Sequence, residues 1–116
     1  MCLVAAGRNL LKNDKYKTFF ASINNQNYTN YKLIVADDNS KDYSALFISE
    51  YIKEELPRLH GKTILIYNHA NVGALANKDR IIRKYCKEGS VIVDIDADDA
   101  LVGRQVLKVL NSVYQN

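Results

Sequence analysis

Four aspartates crowd one stretch, Val91-Ile92-Val93-Asp94-Ile95-Asp96-Ala97-Asp98-Asp99-Ala100, directly after an apolar run. Carboxylates this dense raise one another's pKa unless a cation neutralises them. Hard divalent cations, Mg2+ or Mn2+, take carboxylate oxygens together with the phosphate oxygens of a substrate. The stretch therefore reads as a metal site ahead of a solvated acidic turn. Asp94 and Asp96 alternate with Ile95 and Ala97, so they share one face while the strand pattern lasts; Asp98 and Asp99 then enter the turn. A calcium loop starting at Asp94 needs Gly at its sixth place and Glu at its twelfth. Asp99 and Gln105 stand there, and that reading fails. A phosphatase-type nucleophile fits Asp94-Ile95-Asp96, but such a motif usually opens its domain on the first strand. It stays a minor alternative.

A second acidic group is Asp37-Asp38-Asn39-Ser40. Alone, it is first an ordinary strand-to-helix turn, with Asn39 tolerating a left-handed conformation and Ser40 or Asp42 capping the helix near Tyr43. The functional reading gives one acid a base N–H or a ribose hydroxyl to bind. The third group is Asn71 to Arg80. Asn71 is a candidate cap, Gly73 allows a tight turn into a helix, and Lys78 follows where its ammonium could reach a phosphate. Judged alone, a solvated lysine on an amphipathic helix is the commoner case. His60 and His69 have no partner spacing and receive no chemistry.

The elements that must position these groups alternate in kind. Strand-length apolar runs are Cys2–Ala6, Tyr31–Ala36, Lys62–Tyr67 and Ser90–Ile95, apolar on both faces as strands between helix layers should be. Helical spacing joins Tyr16, Phe19, Phe20 and Ile23, then Tyr43, Leu46, Phe47 and Tyr51. Leu75, Ile82, Tyr85 and Cys86 mark a third helix; Val102, Val106, Val109, Leu110 and Val113 mark a fourth. Pro57 closes the second helix and, with Gly61, turns the chain into the third strand. The alternation predicts an α/β fold, a mostly parallel Rossmann-like open sheet with helices on both faces. Both acidic groups then lie at carboxyl ends of strands, the edge where open α/β sheets bind ligands. A strand order 3-2-1-4 would put the first strand between them.

The chain of 116 residues suits one domain, 1–116, and its 47% apolar content supports a packed core. The net charge of +3 comes from scattered basic residues, which argues against nucleic acid as a partner. Cys2 and Cys86 have no metal-ligand spacing; Cys86 reads as a buried free thiol, which favours a reducing compartment. No apolar segment reaches membrane-spanning length and no signal peptide is visible, so membrane contact would come only from parts outside this chain.

Taken in order, the pieces resemble glycosyltransferase family 2, the GT-A fold. The family pattern opens with a strand and a turn ending in Asn, here Leu3 to Asn9, and continues to a Q-x-Y step, here Gln26-Asn27-Tyr28. A strand ending in DDGS follows, here Asp37-Asp38-Asn39-Ser40, then an N-x-G helix start, here Asn71-Val72-Gly73. The pattern closes on D-x-D-D, here Asp96-Ala97-Asp98-Asp99. The resemblance covers nearly the whole chain. It implies binding of a nucleotide-diphosphate sugar, a UDP-sugar first, with Mn2+ or Mg2+, and inverting transfer to a hydroxyl of a carbohydrate, lipid or protein acceptor.

By resemblance, Asp38 reads the base, with Asn39 beside it; Ala6, Gly7 and Asn9 form the base-cradling turn. Asp96 stands near the ribose and metal, Asp98 binds the metal with Asp99 as neighbour, and Lys78 faces the diphosphate. The sequence departs from the pattern at Gly7-Arg8, where the family has Thr-Tyr, at Asn39 in place of Gly, and at Asp79 in place of Asn. Arg8 could stack on the base in place of the lost aromatic ring. No acceptor site or general base follows the acidic run, so the chain reads as the donor-binding half, truncated before the acceptor half. Its expected location is the cytoplasm or the cytosolic face of a membrane. The competing classes are a non-catalytic nucleotide-binding or interaction module and a plain structural domain with solvated acids.

Overall fold

The computed structural model describes residues 1–7, 15–38, 44–68, 74–96 and 100–114. The elements run β1 (Cys2–Gly7), α1 (Lys15–Asn24), β2 (Lys32–Asp38), α2 (Ser44–Glu55), α3 (Pro57–His60), β3 (Thr63–Asn68), α4 (Ala74–Tyr85), β4 (Ile92–Asp94) and α5 (Val106–Tyr114). The four strands form one parallel sheet in the order β3-β2-β1-β4. Each parallel step needs a helical crossover, and crossovers are right-handed. The steps from β1 to β2 and from β2 to β3 move one way across the sheet, so α1, α2 and α3 fall on one face. The step from β3 back past β1 to β4 moves the other way and puts α4 on the opposite face.

Side-chain alternation sorts the core accordingly. Leu3, Ala5, Leu33 and Val35 meet Phe19, Phe20 and Ile23 of α1, Ile48 and Ile52 of α2, Leu59 of α3 and Leu107 of α5. Cys2, Val4, Ile34 and Ala36 point the other way, towards Ile81 of α4. β1 is thus covered on both faces, which is why it reads as an unbroken apolar run. Burying a Leu, Ile or Phe fully contributes roughly 1.5–3 kcal/mol, so the first cluster carries most of the apolar stabilisation.

Several sequence expectations change. In α2 the buried line runs through Ile48 and Ile52, whereas Leu46 and Phe47 are exposed. Two apolar stripes compete on that helix, and the sheet selects the one spaced i, i+4. Leu75 is 85% exposed, whereas Asn77 and Ile81 are the residues of α4 that turn inward. α5 begins at Val106, and Val102 before it is 90% exposed, as are Val109 and Val113 to a lesser extent; Leu107 is the residue that turns inward. Pro57 opens a one-turn helix of its own, α3, at a first-turn position where its missing N–H costs nothing. Tyr43 and the caps proposed at Ser40, Asp42 and Asn71 lie outside the described residues, as does Gly73.

Cys86 is not a free thiol: it is disulfide-bonded to Cys2, with their Cα atoms 5.9 Å apart. α4 returns antiparallel to the strands, and its last turn ends over the start of β1. That return brings together two cysteines 84 positions apart. The expectation of a reducing compartment rested on a free thiol and loses its basis. No helix among the described residues is long and apolar enough to cross a membrane.

Candidate functional site

The strand order fixes where a ligand crevice can form. β1 is followed in sequence by its neighbour on one side, while β4 joins it on the other, so the switch point lies at the carboxyl ends of β1 and β4. Pairing between these strands runs from Cys2 opposite Ile92 to Val4 opposite Asp94. The Ile95 N–H still donates to the Val4 carbonyl at 3.0 Å, and Asp96 follows it. β1 continues to Ala6 and Gly7, both half-buried, with Gly7 opposite Asp37 of β2. Asp37 is buried, and Asp38, the last residue of β2, pairs with Asn68 of β3. Both acidic strand ends therefore lie on one edge of the sheet, with β1 between them.

Register also sets which way the acids face. Ile92 and Asp94 share the face of Cys2 and Val4, which is the face of α4; Val93 and Ile95 join the opposite cluster. Asp96, one alternation further on, is on the α4 side too. From that side Lys78 reaches both carboxylates. Its ammonium hydrogen-bonds the Asp94 carboxylate and stands 3.5 Å from an oxygen of Asp96. The Lys78 side chain is only 15% exposed, whereas both acids are largely in solvent. Burial alone would push the Lys78 pKa down, but the hydrogen bond and negative charge of Asp94, with Asp96 behind it, outweigh burial and raise it. Lys78 is therefore a held cation, not the solvated lysine of an ordinary amphipathic helix. Asp79, next to it, faces outward and pairs with Arg83 at 3.0 Å.

The spacing of α4 accounts for this placement. From Cys86 back to Lys78 is eight residues, about 12 Å of helix. From Cys2 to Ala6 is four residues, about 13 Å of strand. A helix fixed at one end over Cys2 thus delivers Lys78 to the carboxyl ends of the strands. Asp94 was the least assigned acid in the sequence; it is the closest partner of Lys78. Its signal was alternation, which put it on the face of Asp96, but nothing in the sequence named α4 as the element on that face.

Asn9, Asn39, Asp98 and Asp99 lie outside the described residues. Among the described residues no group of three or more His, Cys, Asp or Glu stands ready to hold a metal ion. Asp96, more distant from Lys78 than Asp94 is, supplies a hard oxygen donor of the kind that Mg2+ or Mn2+ takes.

The fold is shared with solved GT-A glycosyltransferases. The crystal structure of S. aureus TarS matches over 98% of this chain with a TM-score of 0.74 and 20% identity. S. aureus TarS 1-349 in complex with UDP-GlcNAc matches over 98% with a TM-score of 0.73 and 19% identity. The mannosyltransferase PcManGT from Pyrobaculum calidifontis, in complex with GDP-Man and Mn2+, matches over 97% with a TM-score of 0.77 and 18% identity. This chain spans 19%, 30% and 31% of those structures' lengths respectively. No curated protein matches the sequence closely. The Glycosyl transferase family 2 model matches residues 14–116, and the chain belongs to that family.

Proposed function

We propose that this chain is the nucleotide-sugar-binding half of a metal-dependent, inverting glycosyltransferase, with a UDP-sugar as the first candidate donor. The observation that carries the reading is the Lys78 ammonium held against Asp94 and Asp96 at the switch point of the sheet. Family membership and neighbours solved with UDP-GlcNAc and with GDP-Man support it.

In this reading the carboxyl ends of β1 and β2 receive the nucleoside. Ala6, Gly7 and Asn9 cradle the base, and Asp38 accepts its N–H, with Asn39 adjacent. Gly7 carries no side chain, so a planar ring could approach the backbone closely there. Lys78 lies across the crevice, and its charge suits the diphosphate. Asp96, Asp98 and Asp99 would hold the divalent cation. When bound, that cation would neutralise charge on the departing nucleoside diphosphate. Lys78 adds a fixed positive charge to the same end, already desolvated on the protein side. The general base and the acceptor site are assigned to sequence outside these 116 residues.

Titrating UDP against the chain with Mn2+ and then with EDTA tests the reading. Binding should depend on Mn2+, and Asp98→Ala should abolish that dependence. Metal-independent binding, or an unaffected Asp98→Ala variant, would sink the proposal.

A further inference from the structure

Gln26 is a polar side chain with no solvent exposure. A buried amide must have its hydrogen bonds met, and the partners it finds are informative. Its Nε2 donates to the Gly103 carbonyl at 2.7 Å and to the Ser22 carbonyl at 3.1 Å. Its Oε1 accepts the Leu107 N–H at 3.0 Å. Leu107 is the second residue of α5, whose first N–H groups have no partner within the helix. Gln26 therefore caps α5 from 81 positions away in sequence.

Neighbouring bonds extend the same grip. The Ser22 hydroxyl accepts the Leu101 N–H at 3.0 Å and donates to Phe19 O at 2.7 Å. The Asn27 N–H donates to the Arg104 carbonyl at 2.7 Å, and Tyr28 donates its hydroxyl hydrogen to Asn111 at 3.0 Å. Gly103 sits at a φ of 85°, a conformation that side chains disfavour, and in it the carbonyl meets Gln26. Gln26 itself is held: Arg58 of α3 donates to its backbone carbonyl at 3.0 Å.

This grip fastens the chain immediately beyond the acidic run. On the near side, the Ile95 N–H bonds the Val4 carbonyl. On the far side, the Leu101 N–H bonds Ser22. Asp96, Asp98 and Asp99 all lie in the five positions between those two anchors. We infer that Ser22 and Gln26 are positioning residues that tether the acidic segment from α1 and so set its competence for a divalent cation and diphosphate. The tether follows from the hydrogen bonds alone; its link to metal and diphosphate rests on the reading proposed above.

Ser22→Ala deletes the Leu101 anchor with minimal change of shape, and Gln26→Leu deletes three bonds at once. Hydrogen exchange of the ligand-free chain reads the tether directly: amides from 96 to 107 should exchange faster in both variants while β1 and β2 keep their protection. Unchanged exchange in Ser22→Ala would overturn the tether, whatever the chain binds. The second arm measures the ratio of UDP affinities in Mn2+ and in EDTA. Loss of a group that orients metal ligands costs about tenfold or more in metal affinity, so the ratio should fall by about that factor in Ser22→Ala. A wild-type ratio retained in the folded variant would reduce Ser22 and Gln26 to structural residues and overturn their positioning role. A wild type with no Mn2+-dependent affinity defeats the donor reading and the positioning role with it, and the exchange result still decides the tether. Should Gln26→Leu not fold, Gly103→Ala loosens the same turn from the other side and takes its place in both arms.

Discussion

On one face of the sheet, α1, α2, α3 and α5 close over Phe19, Phe20, Leu33, Ile48 and Leu59, all fully or almost fully buried. On the other, α4 is, among the described residues, the one helix over Cys2, Val4, Ile34 and Ala36, with Ile64 and Ile92 partly exposed beside it. The first face is held by apolar area. The second has a smaller apolar cluster, and carries in addition a covalent link at one end of α4 and an ion pair at the other. Both acids that meet Lys78 are on this second face. A helix packed through Ile81 and fixed at both ends places a charged side chain at a defined depth along the strands. A broad apolar interface would cover such a charge.

The contrast predicts a graded set of responses. Phe19→Ala opens a cavity in the four-helix face and should cost about 3–5 kcal/mol. In a domain of this size that threatens folding even with the disulfide intact, and a urea unfolding curve would show it. Reducing the disulfide, or replacing Cys86 by Ser, should cost less, about 2–4 kcal/mol. The chain should stay folded on the four-helix side, with protection lost first from α4 amides. Equal loss of protection on both faces would break the comparison.

Asp94→Asn should cost no more than about 1 kcal/mol, since that carboxylate is largely exposed. It should nonetheless loosen Lys78, which keeps only the more distant Asp96, measured as faster chemical modification of its amine.

The smallest effect is in pH dependence. The folded Lys78 pKa is raised above its ordinary 10.5, so its contribution to stability is complete below that value and fades as pH rises through the folded pKa. Tyr31 and Tyr51 are raised by burial and add loss in the same alkaline direction, whereas the burial-lowered Lys62 acts oppositely. The Lys78 share is therefore read as a difference. Between pH 9 and 11.5 the stability of Lys78→Met should fall less steeply than that of the wild type, by at most about one proton of slope.

Legibility in the sequence followed the range of the interaction concerned. The alternation of Asp94, Ile95 and Asp96 is a local property of a strand, and it correctly placed both acids on one face. Phe19, Phe20 and Ile23 form a single helical stripe with no rival, and all three are buried. In α2, Leu46 and Phe47 had a rival in Ile48 and Ile52, and only the position of the sheet could choose between them. Val102 continued an apolar spacing that the structure does not use. Gln26 could be noticed as part of a Q-x-Y step, but its partners, Gly103 and Leu107, lie 77 and 81 positions away.

The sequence by itself determined the alternation of strands and helices, the acids at two strand ends and the family, because each rests on periodicity and residue type within short windows. Tertiary structure decided that Cys2 meets Cys86, that Lys78 meets Asp94 and Asp96, and that Gln26 caps α5. Those pairings depend on which face each crossover takes and how far each helix runs along the sheet. That geometry exists only when β4 has joined β1 and the chain has closed.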